Sequence, residues 1–208
     1  MTSLKTLCTA LLLSAAASTF ASSTDLTITG IITPAACQPY LSSGSIVDFG
    51  EIPARTLNST TPTILPTRGL QLAVMCDGPT TYALQIKDHH QDSSPDPQVF
   101  FGLGKTPDGE NIGDYLMTLD NAFADGKPTR KIHSLDDGKT WIEAGALPVP
   151  PLHLAAFGDQ SSGAWSPILI KQLLVDLRVR PLINPTRDLT LTQEVPLTGK
   201  ATVELRYL

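Results

Sequence analysis

LQLAVMCDGPTTYALQIK, residues 70–87, carries two runs of alternating side chains around a turn-forming cluster. Leu70, Leu72, Val74 and Cys76 share one face, opposite Gln71, Ala73 and Met75; further on, Tyr82, Leu84 and Ile86 oppose Ala83, Gln85 and Lys87. A period of two is the mark of a strand with one buried face. Asp77, Gly78 and Pro79 between the runs predict a hairpin of neighbouring antiparallel strands.

The same period recurs on both sides. Leu26, Ile28 and Ile32 alternate with Thr27 and Thr29 up to Pro34, and residues 46–52 form a second extended stretch ending at Pro53. Short candidates follow at 99–103, 115–119, 131–135 and 141–144, with a strong turn signal at Asp137 and Gly138. Leu173, Val175, Leu177 and Val179 define a further strand, and Leu189 and Leu191 with Thr190 and Thr192 another. The last eight residues alternate most cleanly, with Ala201, Val203, Leu205 and Tyr207 pointing one way. Many short strands, frequent turns and no helical period predict an all-β antiparallel sandwich.

Composition supports one such domain. Of 208 residues 41% are hydrophobic and only 17% charged, enough apolar content for one sizeable core. The prolines at 148, 150 and 151 form a stiff connection rather than a domain linker, since neither flank can own a core. The net charge of −5, without a Lys/Arg cluster, argues against nucleic acid as a partner.

Residues 1–21 read as a secretory signal peptide. Lys5 precedes an apolar run over residues 7–17, and Thr19-Phe20-Ala21 places small residues at the minus-three and minus-one positions of a cleavage site. The run is too short to span a bilayer. Cleavage removes Cys8 and leaves a domain over residues 22–208, bound for an oxidising compartment, with Cys37 and Cys76 as its only thiols. An even pair in such a compartment predicts a disulfide, and neither cysteine has the CxxC partner or nearby His of a metal or redox site.

The search for chemistry returns little. His89 and His90 sit in a polar stretch read as a solvated loop; His133 and His153 are isolated and read as surface or hydrogen-bonded residues. No GxSxG elbow occurs, and Ser161-Ser162-Gly163 reads as a loop. Asn58-Ser59-Thr60 matches a glycosylation acceptor, relevant only in a eukaryotic secretory route. No catalytic residue, metal or cofactor is expected, and the chain does not read as an enzyme. The indoles of Trp141 and Trp165 have the chemistry to stack on a sugar ring, against a plainer reading as packing residues at strand or loop edges.

Three segments carry a resemblance to a known family. LTITGIITPAAC (residues 26–37) resembles the first strand of chaperone-usher pilins up to their first cysteine, with Cys76 where the family has its second. VDFGEIPA (47–54) resembles the segment between the cysteines, and ATVELRYL (201–208) has the penultimate tyrosine of pilin C-termini. The chain as a whole is similar to a poorly characterised group of fimbrial-like exported proteins of Gram-negative bacteria.

The resemblance implies an immunoglobulin-like sandwich of pilin type that lacks its final strand. A periplasmic chaperone would supply that strand until a neighbouring fimbrial subunit replaces it at the outer-membrane usher. Val203, Leu205 and Tyr207 would form the chaperone-contacting and donor-strand-contacting strand, with the Leu208 carboxylate against basic chaperone residues. The expected location is the periplasm in transit and then the cell-surface fimbrium. Only Ser22, Ser23, Thr24 and Asp25 precede Leu26 after cleavage, about 13 Å of extended chain, which is short for a donor strand. A minor or terminal subunit that accepts a strand without giving one is the leading expectation. The alternative is a carbohydrate-binding tip adhesin, recognising a host or surface glycan through Trp141 and Trp165.

Overall fold

The computed structural model describes residues 27–29 and 36–208. The signal segment lies outside the described residues, as does most of the strand expected from Leu26 to Ile32; residues 27–29 carry no strand. From Ala36 onward the described chain forms one compact unit.

Thirteen strands follow one another in it: β1 Cys37–Leu41, β2 Thr63–Ile64, β3 Arg68–Thr80, β4 Tyr82–Asp88, β5 Phe101–Gly102, β6 Gly113–Ala124, β7 Lys127–Pro128, β8 Arg130–Ser134, β9 Ile142–Glu143, β10 Leu154–Asp159, β11 Ser166–Pro167, β12 Ile170–Ile183 and β13 Ala201–Tyr207. Among the described residues the only helical pieces are four short 3-10 turns. All strand pairs are antiparallel. One sheet has the order β1-β3-β12-β6-β5, with β2 on β12 and β7 on β6; the other has the order β13-β4-β10-β8-β9, with β11 on β10. The protein is therefore all-β, with two antiparallel sheets in a sandwich-like arrangement.

The hairpin expected over residues 70–87 does not form. β3 continues through Asp77, Gly78 and Pro79 to Thr80, and Thr81 alone separates it from β4 in the opposite sheet. Tertiary pairing overrides the local turn signal, since the Asp77 N–H donates to the Ala36 carbonyl and Thr80 pairs with Ile170. The alternation itself is correct. Leu72 and Val74 enter the core from one sheet, Leu84 and Ile86 from the other, and all four are fully buried. Each such side chain stabilises the fold by about 2 kcal/mol relative to exposure.

Cys37 and Cys76 are cross-strand partners of β1 and β3 and form the predicted disulfide. Asp137 and Gly138 both adopt positive φ, as the turn signal there requires.

Two further strands expected from sequence are absent. Residues 46–52 and 189–192 have no strand pairing among the described residues, although Val47, Phe49, Ile52 and Leu191 pack half-buried against the core. Alternation is present there, but a ladder partner is not.

β8 carries the least anticipated burial. Lys131 and His133 lie opposite Phe157 and Ala155 of β10, so they point into the main core, while Ile132, also fully buried, faces the smaller apolar cluster on the other side of the sheet. The surface or hydrogen-bonded reading of His133 is thus corrected: the ring is buried and Nε2 has no partner. Lys131 Nζ donates to the Leu147 carbonyl at 2.6 Å, and burial pushes its pKa down. Burial, with Lys131 and His153 nearby, lowers the His133 pKa from 6.5 to about 4, while burial raises the Asp114 carboxyl from 3.8 to about 6.

The two shifts act oppositely on stability. The neutral form of His133 supports the fold above pH 6.5, and that support is lost as pH falls through 4; the neutral form of Asp114 supports it below pH 3.8, and that support is lost as pH rises through 6. Between pH 7 and 4 they largely cancel in the native chain. In denaturant titrations His133→Leu is expected to gain stability on acidification across that window, and Asp114→Asn to lose it. After discounting for solvent screening, each change is on the order of 1 kcal/mol.

Candidate functional site

Among the described residues β1 and β13 are each an edge strand of one sheet, and they border the same side of the sandwich, with β5 and β9 at the opposite ends of the two strand orders. Their hydrogen-bond phase follows from the bonds that flank them. The His89 N–H donates to the Lys200 carbonyl and the Leu208 N–H to the Thr81 carbonyl, so the even-numbered residues of β13 are those that exchange bonds with β4. The N–H and C=O groups of Ala201, Val203, Leu205 and Tyr207 therefore point away from β4, to an edge that no other described strand covers. These are also the residues whose side chains face inward.

The covering of that face is incomplete. Val203 and Leu205 pack against the main core yet stay half-buried, whereas their partners Ile86 and Leu84 on β4 are fully buried. No residue of β13 reaches the buried class, so this strand presents backbone donors, acceptors and apolar side chains together. Its outer face is ordinary surface: Lys87 pairs with Glu204 at 2.7 Å and Arg206 with Asp137.

The facing edge behaves differently. The Ser42 N–H donates to the Gln71 carbonyl and the Asp77 N–H to the Ala36 carbonyl, which leaves Cys37, Pro39 and Leu41 pointing outward. Pro39 has no N–H, and the Cys37 N–H donates to the Tyr207 hydroxyl at 2.9 Å. Of three outward positions only Leu41 keeps an N–H uncommitted among the described residues. Among the described residues β1 is a blunted edge and β13 an open one.

The Tyr207–Cys37 hydrogen bond closes the gap at its disulfide end. At the other end the chain after β1, residues 47–57, and the chain before β13, residues 189–197, wall a cavity of 720 Å³. Ile112, Ile183 and Leu189 line its buried part, and Phe49, Ile52, Val195 and Leu197 line it half-buried. These walls are the two extended segments that lack a ladder. The Glu110 carboxylate, held low by its bonds from the Thr190 N–H, the Thr190 hydroxyl and the Thr106 hydroxyl, fixes one wall to the loop before β6. The Thr186 and Arg187 N–H groups reach the Asn58 and Ser59 carbonyls, linking the far ends of both walls.

The expected contact residues Val203, Leu205 and Tyr207 therefore fall on this edge. Leu208 is half exposed just past it, its N–H tied to Thr81. Trp141 and Trp165 are elsewhere: both pack half-buried against Ala83, Ile132, Leu154 and Ala156 on the outer face of the second sheet, and Trp141 Nε1 donates to the Gly138 carbonyl at 3.1 Å. Among the described residues no group of three or more His, Cys, Asp or Glu could hold a metal. Sequence reasoning missed Pro39 and the 189–197 wall. A proline two residues beyond a strand-edge cysteine is the one signal that marks the blunted edge.

Residues 26–99 match the model of a family described as a protein of unknown function, DUF1120. That span takes in the disulfide, β1, β3, β4 and the 47–57 wall, and ends before β5. Over its greater length the chain is similar to two Escherichia coli K12 proteins. The uncharacterized protein YhcF is 24% identical over 206 residues, covering 84% of this chain and 86% of its own. Protein GltF is 25% identical over 255 aligned residues, covering 97% and 96%. These matches are consistent with a poorly characterised family.

Proposed function

We propose that the chain is a structural or assembly subunit of a chaperone-usher surface fimbria. It is exported to the periplasm and accepts a strand first from a chaperone and then from a neighbouring subunit, as a minor or terminal member of the fibre. Its fold is then the pilin-type immunoglobulin-like sandwich without a final strand. One observation supports this reading: the four residues of β13 whose side chains face the core also aim their backbone groups at an edge left open among the described residues, and none is fully covered. An added strand would satisfy both deficits at once, with main-chain bonds giving affinity and alternate side chains filling the cavity.

The hydrogen-bond phase supplies the test. In Val203→Pro the ladder to β4 is kept, because residue 203 does not bond to it, but the open edge loses an N–H and gains a ring. Co-expressed with a periplasmic chaperone, the native chain should depend on it for yield and co-purify with it, whereas Val203→Pro should keep its disulfide and strand signal and lose the complex. A native chain that is monomeric, folds reversibly and reaches the same yield without any chaperone would sink the proposal.

A second reading, a glycan-binding tip protein, draws on the two indoles brought to one patch. It requires Trp141→Ala and Trp165→Ala to abolish a glycan-array signal shown by the native chain.

A further inference from the structure

The cavity between residues 47–57 and 189–197 is apolar within and acidic around. Asp48, Glu51 and Glu194 line it against a single base, Arg55. All seven ion pairs among the described residues lie elsewhere, so none of the three acids is neutralised by a neighbour. Of the three, only Asp48 accepts a hydrogen bond among the described residues, from the Gly50 N–H at 2.8 Å on Oδ1. Arg68 lies over the Phe49 ring at 5.6 Å and does not line the cavity. The charges of β13's outer face, by contrast, are already paired: Glu204 with Lys87, and Arg206 with Asp137.

A strand entering this cavity must bring apolar side chains for its interior and place its flanking residues beside three acids. Like charges there repel and opposite charges attract, which sets both encounter rate and partner choice. We infer that the guest strand comes from a chain other than a second copy of this one, and that it carries Lys or Arg at the end seated between residues 47–57 and 189–197. The inference rests on the strand-acceptor reading and adds to it the chemistry of the donor. A second copy is a poor fit by its own sequence. Residues 22–36 contain Asp25 and no Lys or Arg, so after cleavage behind Ala21 the α-amino group and Asp25 cancel.

The test uses three labelled peptides and fluorescence anisotropy with the purified exported chain. Two share the apolar core LTITGIIT and are flanked at both ends by Lys in one and by Glu in the other; the third is the chain's own residues 22–36. At low salt the Lys-flanked peptide should bind at least about fivefold more tightly than the Glu-flanked one, the two converging in high salt. The own-sequence peptide should fall below the Lys-flanked one. Glu51→Gln with Glu194→Gln should erase the preference, while Glu143→Gln with Asp159→Asn, an equal change of charge on residues that do not line the cavity, should leave it. Equal binding of the two flanked peptides, or loss of the preference in both double variants, overturns the charge assignment while strand acceptance stands. Own-sequence binding as tight as the Lys-flanked peptide overturns the exclusion of a second copy. Failure of every peptide to bind the native chain overturns the inference and the strand-acceptor reading together.

Discussion

Replacing Cys37 and Cys76 by Ser lowers the unfolding free energy by about 4 kcal/mol, the loss expected for reopening a loop whose ends are 39 residues apart. Equilibrium denaturation of oxidised and reduced protein in parallel measures it. The loss falls unevenly on the structure. β1 is an edge strand of five residues, laddered on one side only among the described residues, and the bridge to β3 is what pins it. With the bridge gone, hydrogen exchange should rise first in the even-numbered residues of β1, whose N–H groups face β3, and in Asp77, while Leu177 and Val179 in the middle of β12 stay protected. Uniform loss of protection across both sheets would contradict this expectation. Tyr207 should respond as well, since the N–H that its hydroxyl accepts belongs to Cys37.

Gly102→Ala is expected to cost about 3 kcal/mol, read as a drop in the thermal midpoint against Gly69→Ala as control. A methyl group on Gly102 would overlap the His90 carbonyl oxygen and the Ser93 hydroxyl, and neither can yield. The His90 N–H donates to Asp88 Oδ1 at 2.9 Å, the Gly102 N–H to Asp88 Oδ2 at 2.8 Å, and the Ser93 hydroxyl to the His90 carbonyl while accepting from the Gly104 N–H. Gly69, by contrast, has room for a methyl at ordinary contact distance and should cost under about 1 kcal/mol. The stretch around His89 and His90 is a loop with His89, Gln91 and Asp92 exposed, as expected from sequence, and it also carries a knot of bonds beneath β5. The Leu103 carbonyl next to it accepts from the Thr198 N–H and so holds the chain that leads into β13.

Legibility followed the range of the forces involved. The strands at residues 70–76, 82–86, 173–179 and 201–207 were plain because an alternating burial pattern is written locally, and the structure returns the same faces at each. The link between the first two was misread because Asp77-Gly78-Pro79 carries turn chemistry, whereas pairing with Ala36 and Ile170 is decided by residues far along the chain. Residues 46–52 and 189–192 have strand-like alternation and no strand. Alternation records which side chains are to be covered, and a ladder also needs a second backbone. The burial of Lys131 and His133 was hidden for a related reason: in Lys131-Ile132-His133 the apolar residue marks one buried face, and only the opposition of Phe157 and Ala155 shows that the other face is buried as well. Of the candidate site, β13 was visible and its blunted counterpart was not, since an edge is a property of sheet order.

The hydrogen-bond phase of β13 has a consequence for motion. Vacant main-chain groups recur there only at every second residue, so a guest segment cannot creep along it smoothly. It can rest only at positions about 7 Å apart, two residues per step, and each step keeps the same side chains turned inward. Sliding by a single residue would turn the wrong side chains inward and unmake every bond at once, so each seating acts as a ratchet tooth.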